Sequence, residues 1–246
     1  MNEPCAARLS AARLATAVGL FGRYTTAQDS WDAFRGATVP GANPARADHR
    51  AALLRWLNAA GCRIRYPRDG EPDLFDAGIS AWWEQHGQLL PDVEVSITEL
   101  TDDQIAKIGS CFTELRAAPV ALASRPRPLG PTAASKLLHA LRPRAIMPWD
   151  AAIAKALHGR TDGSAFTAHQ LLGRAWGRDV LAETGTDESG LAKELGAPGR
   201  PLAKMLDDYC YLAFTAEAAE LGGPGHQSIT SPTGAAQRPR GRRWRR

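Results

Sequence analysis

Apolar residues recur along this chain at α-helical spacing, and the stretches that carry them begin and end on helix punctuation. This pattern constrains the fold more than any other feature. From Asp48 to Gly61 there is an acidic start, Leu53, Leu57 and Ala60 on one face, and a glycine stop. Thr101-Asp-Asp-Gln104 is a capping box, and it opens a helix through Ile105, Ile108, Phe112 and Leu115. Gly130-Pro131 starts a helix with proline at its first position, carrying Leu137, Leu138 and Leu141 and ended by Pro143. Pro148-Trp149-Asp150 opens another over residues 151–157, closed by Gly159. The same signals predict helices over residues 5–20 and 74–86, and at about 167–183, 188–195 and 200–220. Composition agrees: Ala and Leu number 70 against 14 Val and Ile, and β-branched residues are the ones enriched in sheets. Residues 93–97 alternate apolar and polar but have no partner strand, so they read as extended loop, and a Pro/Arg-containing stretch lies further on over 117–127. The expected fold class is mainly α, a two-lobed helical fold.

The formal charge of +4 would suggest nucleic acid, but it is unevenly placed. Six arginines (238, 240, 242, 243, 245 and 246) follow Gly222 with no acidic residue among them, which leaves 24 basic against 26 acidic residues in 1–221. We therefore expect a helical globular domain over residues 1–221 and a disordered Arg-rich tail over 222–246, where Gly, Pro and Ser leave too little apolar surface to fold. A body of that length buries roughly 70% of its unfolded surface and needs no disulfide or metal staple. Cys5, Cys62, Cys111 and Cys210 are scattered without metal-ligand spacing, and no metal or cofactor is expected. No apolar run approaches the length of a membrane span, and the first residues lack a signal-peptide pattern. The expectation is a cytoplasmic protein with no membrane partner; oligomeric state is not legible.

Between Glu114 and Asp150 there is no acidic residue, while Arg116, Arg125, Arg127, Lys136, Arg142 and Arg144 all fall there. Such a segment is suited to neutralising phosphates, unless acids such as Asp102, Asp103 and Glu114 balance it in space. Within it, Leu129-Gly130-Pro131-Thr132-Ala133, the loop from Arg142-Pro143 to Pro148, and Trp149-Asp150-Ala-Ala-Ile153 are arranged as in one known family. The pattern resembles the helix-hairpin-helix DNA glycosylase superfamily of base-excision repair, over about a tenth of the chain, with Thr132 and Asp150 at the family's spacing. The family's hairpin has two glycines around one residue, where this chain has Pro128-Leu129-Gly130-Pro131.

The resemblance implies a DNA-binding protein that hydrolyses the N-glycosidic bond of a damaged or mispaired base. Asp150 would be the catalytic carboxylate. Gly130, Thr132, Lys136, Arg125, Arg127, Arg142 and Arg144 would contact DNA, with Trp149 beside the base. Pro131 stands where bifunctional members carry their lysine, so lyase chemistry is not implied, and neither is an iron–sulfur cluster. From the residues alone, a carboxylate at a helix N-terminus is favoured by the macrodipole and suits a developing oxocarbenium ion or an attacking water, but the same residue serves equally as a helix cap. A non-catalytic helical module that keeps the scaffold for DNA or protein binding is the alternative. Of the remaining polar residues, His139 reads as a partly buried core histidine, His158 as a helix-end residue, and Asp207-Asp208 as a solvent-facing edge.

Overall fold

The structure, a computed structural model, describes residues 8–21, 27–122 and 125–215. The Arg-rich tail expected over 222–246 lies outside the described residues. Ten α-helices account for most of the described chain: α1 (Ala11–Phe21), α2 (Ala27–Ala37), α3 (Ala47–Ala59), α4 (Leu74–His86), α5 (Asp102–Ala117), α6 (Pro131–Leu141), α7 (Ala151–His158), α8 (Gly163–Thr184), α9 (Glu188–Glu194) and α10 (Leu202–Phe214).

The capping box of α5 and the Gly159 stop of α7 are in place as expected, and the structure adds further caps. Thr101 and Gln104 form the reciprocal capping box of α5, Asp73, Asp162 and Asp187 cap α4, α8 and α9, and Gly159 and Gly185 end α7 and α8 in left-handed conformations. Leu53, Leu57, Ile105, Ile108, Phe112 and Leu115 are fully buried, so the apolar faces read from spacing do point inward.

Three elements depart from expectation. The helix α2 has only Trp31 and Phe34 as large apolar residues, too few for a periodic signal; both rings pack on Trp56 of α3. Residues 93–97 run as a turn into a short 3-10 helix, Ile97–Glu99, rather than an extended loop. The Pro/Arg stretch after α5 forms an antiparallel ribbon, β1 (Pro119–Leu122) with β2 (Pro126–Pro128). The prolines of β2 do not block it, because a two-stranded ribbon leaves one side of each strand unpaired. Helices α5 and α6 are therefore joined by a β-ribbon.

The core is organised on the crossing of α5 and α8. A Cβ on Gly109 would lie 2.0 Å from Thr167 Oγ1, and one on Gly163 the same distance from Thr113 Oγ1, so these glycines set the closeness of the crossing. Above it, α10 packs on α7, α8 and α1, while α6 lies against α5 and α3. Among the described residues no helix is long and apolar enough to cross a membrane.

Candidate functional site

The loop between α6 and α7 contains Pro143 and Pro148, is largely buried, and cannot satisfy with backbone partners the peptide groups from the Ile146 carbonyl to the Trp149 N–H. Side chains from the flanking helices do so instead. Ser135 Oγ accepts from the Trp149 N–H at 2.8 Å, and His139 Nδ1 donates to the Ile146 carbonyl at 2.8 Å. From α8, the Gln170 carboxamide takes both polar atoms of Met147, accepting from its N–H and donating to its carbonyl, each at 2.9 Å. His169 Nε2 donates to the Pro148 carbonyl at 3.2 Å. Ser135, His169 and Gln170 are 0% exposed and His139 only 4%.

These bonds fix the protonation of the two buried histidines, because a carbonyl can only accept. His139 carries its proton on Nδ1 and His169 on Nε2, which leaves His169 Nδ1 to accept from His158 Nε2 at 3.2 Å. Burial pulls the His139 pKa down to about 4, and burial with the neighbouring His158 pulls His169 down to about 3. Both are neutral at physiological pH. His158, read as a helix-end residue, does end α7, and its ring is the outer member of this pair.

The loop delivers Asp150 to the N-cap of α7, where Oδ1 accepts from the Ile153 N–H at 2.8 Å. The side chain is half-buried, and Oδ2 makes no hydrogen bond among the described residues. Facing it is α10. The Cys210 thiol there is driven well above its ordinary pKa, first by burial and then by the carboxylates of Asp207 and Asp208, with Asp150 adding to the same effect.

Asp207-Asp208 is not the solvent-facing edge expected from sequence. Asp208 is 0% exposed and sits between Arg200, at 2.9 Å, and Lys204; Lys204 also reaches Asp207 at 2.8 Å. Burial would pull the Lys204 ammonium down, but these two carboxylates outweigh it and hold its pKa above the usual value. The error is one of partners: two adjacent acids read as surface until a lysine one turn back and an arginine two turns back are seen to enclose one of them.

Trp149 is 1% exposed, with Phe112, Phe166, His158 and His169 around its ring at centroid distances from 5.0 to 5.8 Å. Its place beside a base is thus corrected to a place in the core. The backbone at Asp150 is extended (φ −109°, ψ 179°), so successive side chains alternate, and the one that brings Asp150 outward sends Trp149 inward.

The acid-free basic segment is also dispersed by the fold. Arg116 donates to the Thr161 carbonyl, Lys136 to Ala60, Arg142 to Pro91 and Leu141, and Arg144 pairs with Glu94. Gly130 is left-handed (φ 82°) and spends its N–H on the Arg116 carbonyl, so neither it nor Pro131 has a backbone donor for a phosphate; Thr132 follows, half-buried, in the first turn. Only Arg125 and Arg127, on the ribbon, remain exposed without a hydrogen bond or ion pair among the described residues. A cavity of about 360 Å³ opens between α4, α5 and β1, lined in part by Trp82, His86 and Glu114, and Asp150 is not among its walls. No group of three or more potential ligands is placed to hold a metal among the described residues.

Sequence reasoning missed His169 and Gln170, which lie within the long helix α8 and whose only local signal is polarity on a buried face. It also missed Cys62-Arg-Ile-Arg-Tyr-Pro-Arg68, where arginines alternate with apolar and aromatic residues. No protein family, curated protein or solved structure matches the chain.

Proposed function

We propose that this chain is a helical DNA-binding protein that hydrolyses the N-glycosidic bond of a damaged or mispaired base, with Asp150 as the reacting carboxylate. One observation carries the reading: four buried polar side chains are committed to a single loop, and that loop ends on one half-buried carboxylate. Burying polar groups is costly unless each is paired, and here each of the four pairs with a peptide group of the loop. Holding a charged group in fixed geometry is the use that justifies such a device.

In this reaction the bond between C1′ and the base nitrogen breaks with its electron pair going to the base. Positive charge then develops on the sugar, and the Asp150 carboxylate stabilises it. Water adds at C1′, and its proton passes to the carboxylate. The second reading, a non-catalytic module that binds DNA or protein, is favoured by the packing of Trp149, which leaves no ring face for a base. An excision assay on duplexes with damaged or mismatched bases separates the two. Base release by the wild type and its loss in Asp150→Asn, with DNA affinity retained, supports hydrolysis; equal release by both proteins, or none by either, removes it.

A further inference from the structure

We infer that the loop joining α3 to α4 and the β1–β2 ribbon form one docking surface for the phosphate backbone of duplex DNA. This rests on the DNA-binding reading above, but not on Asp150 chemistry.

The two segments are physically joined. Arg65 donates to the Leu122 carbonyl at the end of β1, at 3.3 Å, and Lys136 of α6 donates to the Ala60 carbonyl, at 2.6 Å, where the loop begins. The loop itself is rigid: Asn58 holds both polar atoms of Ile64, at 2.6 and 2.9 Å, and Ile64 is buried. With Ile64 fixed inward, Arg63 and Arg68 stand in solvent and Tyr66 is 50% exposed. Arg63 is left-handed (φ 54°), the only such non-glycine residue among those described, a conformation that costs free energy.

Of the three acids in this loop, Glu71 and Asp73 are committed to other groups. Glu71 is taken by Arg65 in a bidentate pair at 2.7 and 2.8 Å, and its second role is to accept from the Arg68 backbone N–H. Asp73 caps α4, and Asp69, beside Arg68 in the chain, is exposed. Arg63, Arg68, Arg125 and Arg127 make no side-chain hydrogen bond or ion pair among the described residues. Elsewhere in the acid-free stretch the basic side chains are tied to carbonyls or acids; these four arginines, on two segments that Arg65 bonds together, have no such partner among the described residues. Guanidinium forks on a rigid frame match phosphate oxygens, and an exposed tyrosine between prolines and arginines can lie against sugar or base.

Each phosphate neutralised contributes about 0.9 to the slope of log affinity against log salt concentration, so the surface can be read from slopes. The full chain is titrated into a short labelled duplex over a range of salt, as wild type, Arg63→Ala/Arg68→Ala, Arg125→Ala/Arg127→Ala and Asp150→Asn. Each double variant is expected to lower the slope by about 2, whereas Asp150→Asn leaves it unchanged. Differences from wild type cancel whatever other segments contribute. All four residues are exposed, so the variants are expected to unfold at the wild-type temperature. If wild type binds duplex and neither double variant changes the slope, this surface is overturned while DNA binding stands. If wild type does not bind duplex, or binds phosphatidylserine vesicles more tightly at the same salt, both fall.

Discussion

Two loops of this protein treat their polar groups in opposite ways. In residues 142–150 five peptide groups, from the Ile146 carbonyl to the Trp149 N–H, are met by buried side chains, and Oδ2 of Asp150 makes no hydrogen bond among the described residues. In residues 62–71 the backbone is held through Asn58 and Glu71, yet Arg63 and Arg68 are left in water with no partner among the described residues. The first arrangement fixes geometry around one group; the second fixes a pattern of charge for something outside the molecule. Cost separates them, since an unpaired buried group loses its hydration and an unpaired surface charge does not.

The comparison breaks most readily from the interior. Asp208→Ala leaves Lys204 and Arg200 facing a gap, and removing one member of a buried charge network costs about 3–5 kcal/mol. Urea denaturation should show that loss; one below about 1 kcal/mol would mean that water reaches the network.

Acid acts on the same interior. His139 and His169 have folded pKa values near 4 and 3, below the ordinary 6.5, so the unfolded chain takes up their protons first as pH falls. Their neutral forms therefore support the fold fully above about pH 6.5, and that stability drains away as pH drops toward the folded values. Each contributes a loss of about 2 kcal/mol between pH 7 and pH 5. Denaturation midpoints at the two pH values, compared with those of His139→Gln and His169→Gln, test this, and an unchanged wild-type midpoint would falsify it.

Gln170→Leu strands both polar atoms of Met147, and two stranded buried groups correspond to roughly 3 kcal/mol. Hydrogen exchange of the Met147 amide should accelerate in step with the denaturation shift. Smaller again is Asp150→Ala, expected to cost about 1 kcal/mol, the usual worth of an N-cap. A much larger loss there would show that Asp150 is mainly structural and weaken its catalytic role. At the bottom of the scale, Arg63→Ala and Arg68→Ala should change stability by less than about 0.5 kcal/mol, as surface positions do. Together the series grades the two loops by burial, and any inversion of its order would show that the contrast between them is wrong.

Much of the fold was legible because its signals are local. The Thr101–Gln104 box, the glycine after α7, and the buried stripe of Ile105, Ile108, Phe112 and Leu115 each depend on residues within a few positions of one another. Asp150 was legible for the same reason, as an acid one residue before a helix. Helix α2 was not, since its Trp31 and Phe34 become apolar contacts only against Trp56. The β-ribbon was hidden because prolines on both strands argue against pairing until an unpaired side is available to them. Around the site, Asp208 and Trp149 were misjudged for one reason: burial depends on what a neighbouring helix brings.

By itself, then, the sequence determined that the chain is helical, where most helices start and stop, and which faces they bury, because capping and periodicity are properties of short stretches. The tertiary structure alone decided which charges are free. It tied Arg116, Lys136, Arg142 and Arg144 to carbonyls or Glu94, left Arg63, Arg68, Arg125 and Arg127 in solvent, and bonded the loop of the first two to the ribbon through Arg65. A side chain's charge is written in its own residue, but its partner lies on another part of the chain, and only packing brings the two together.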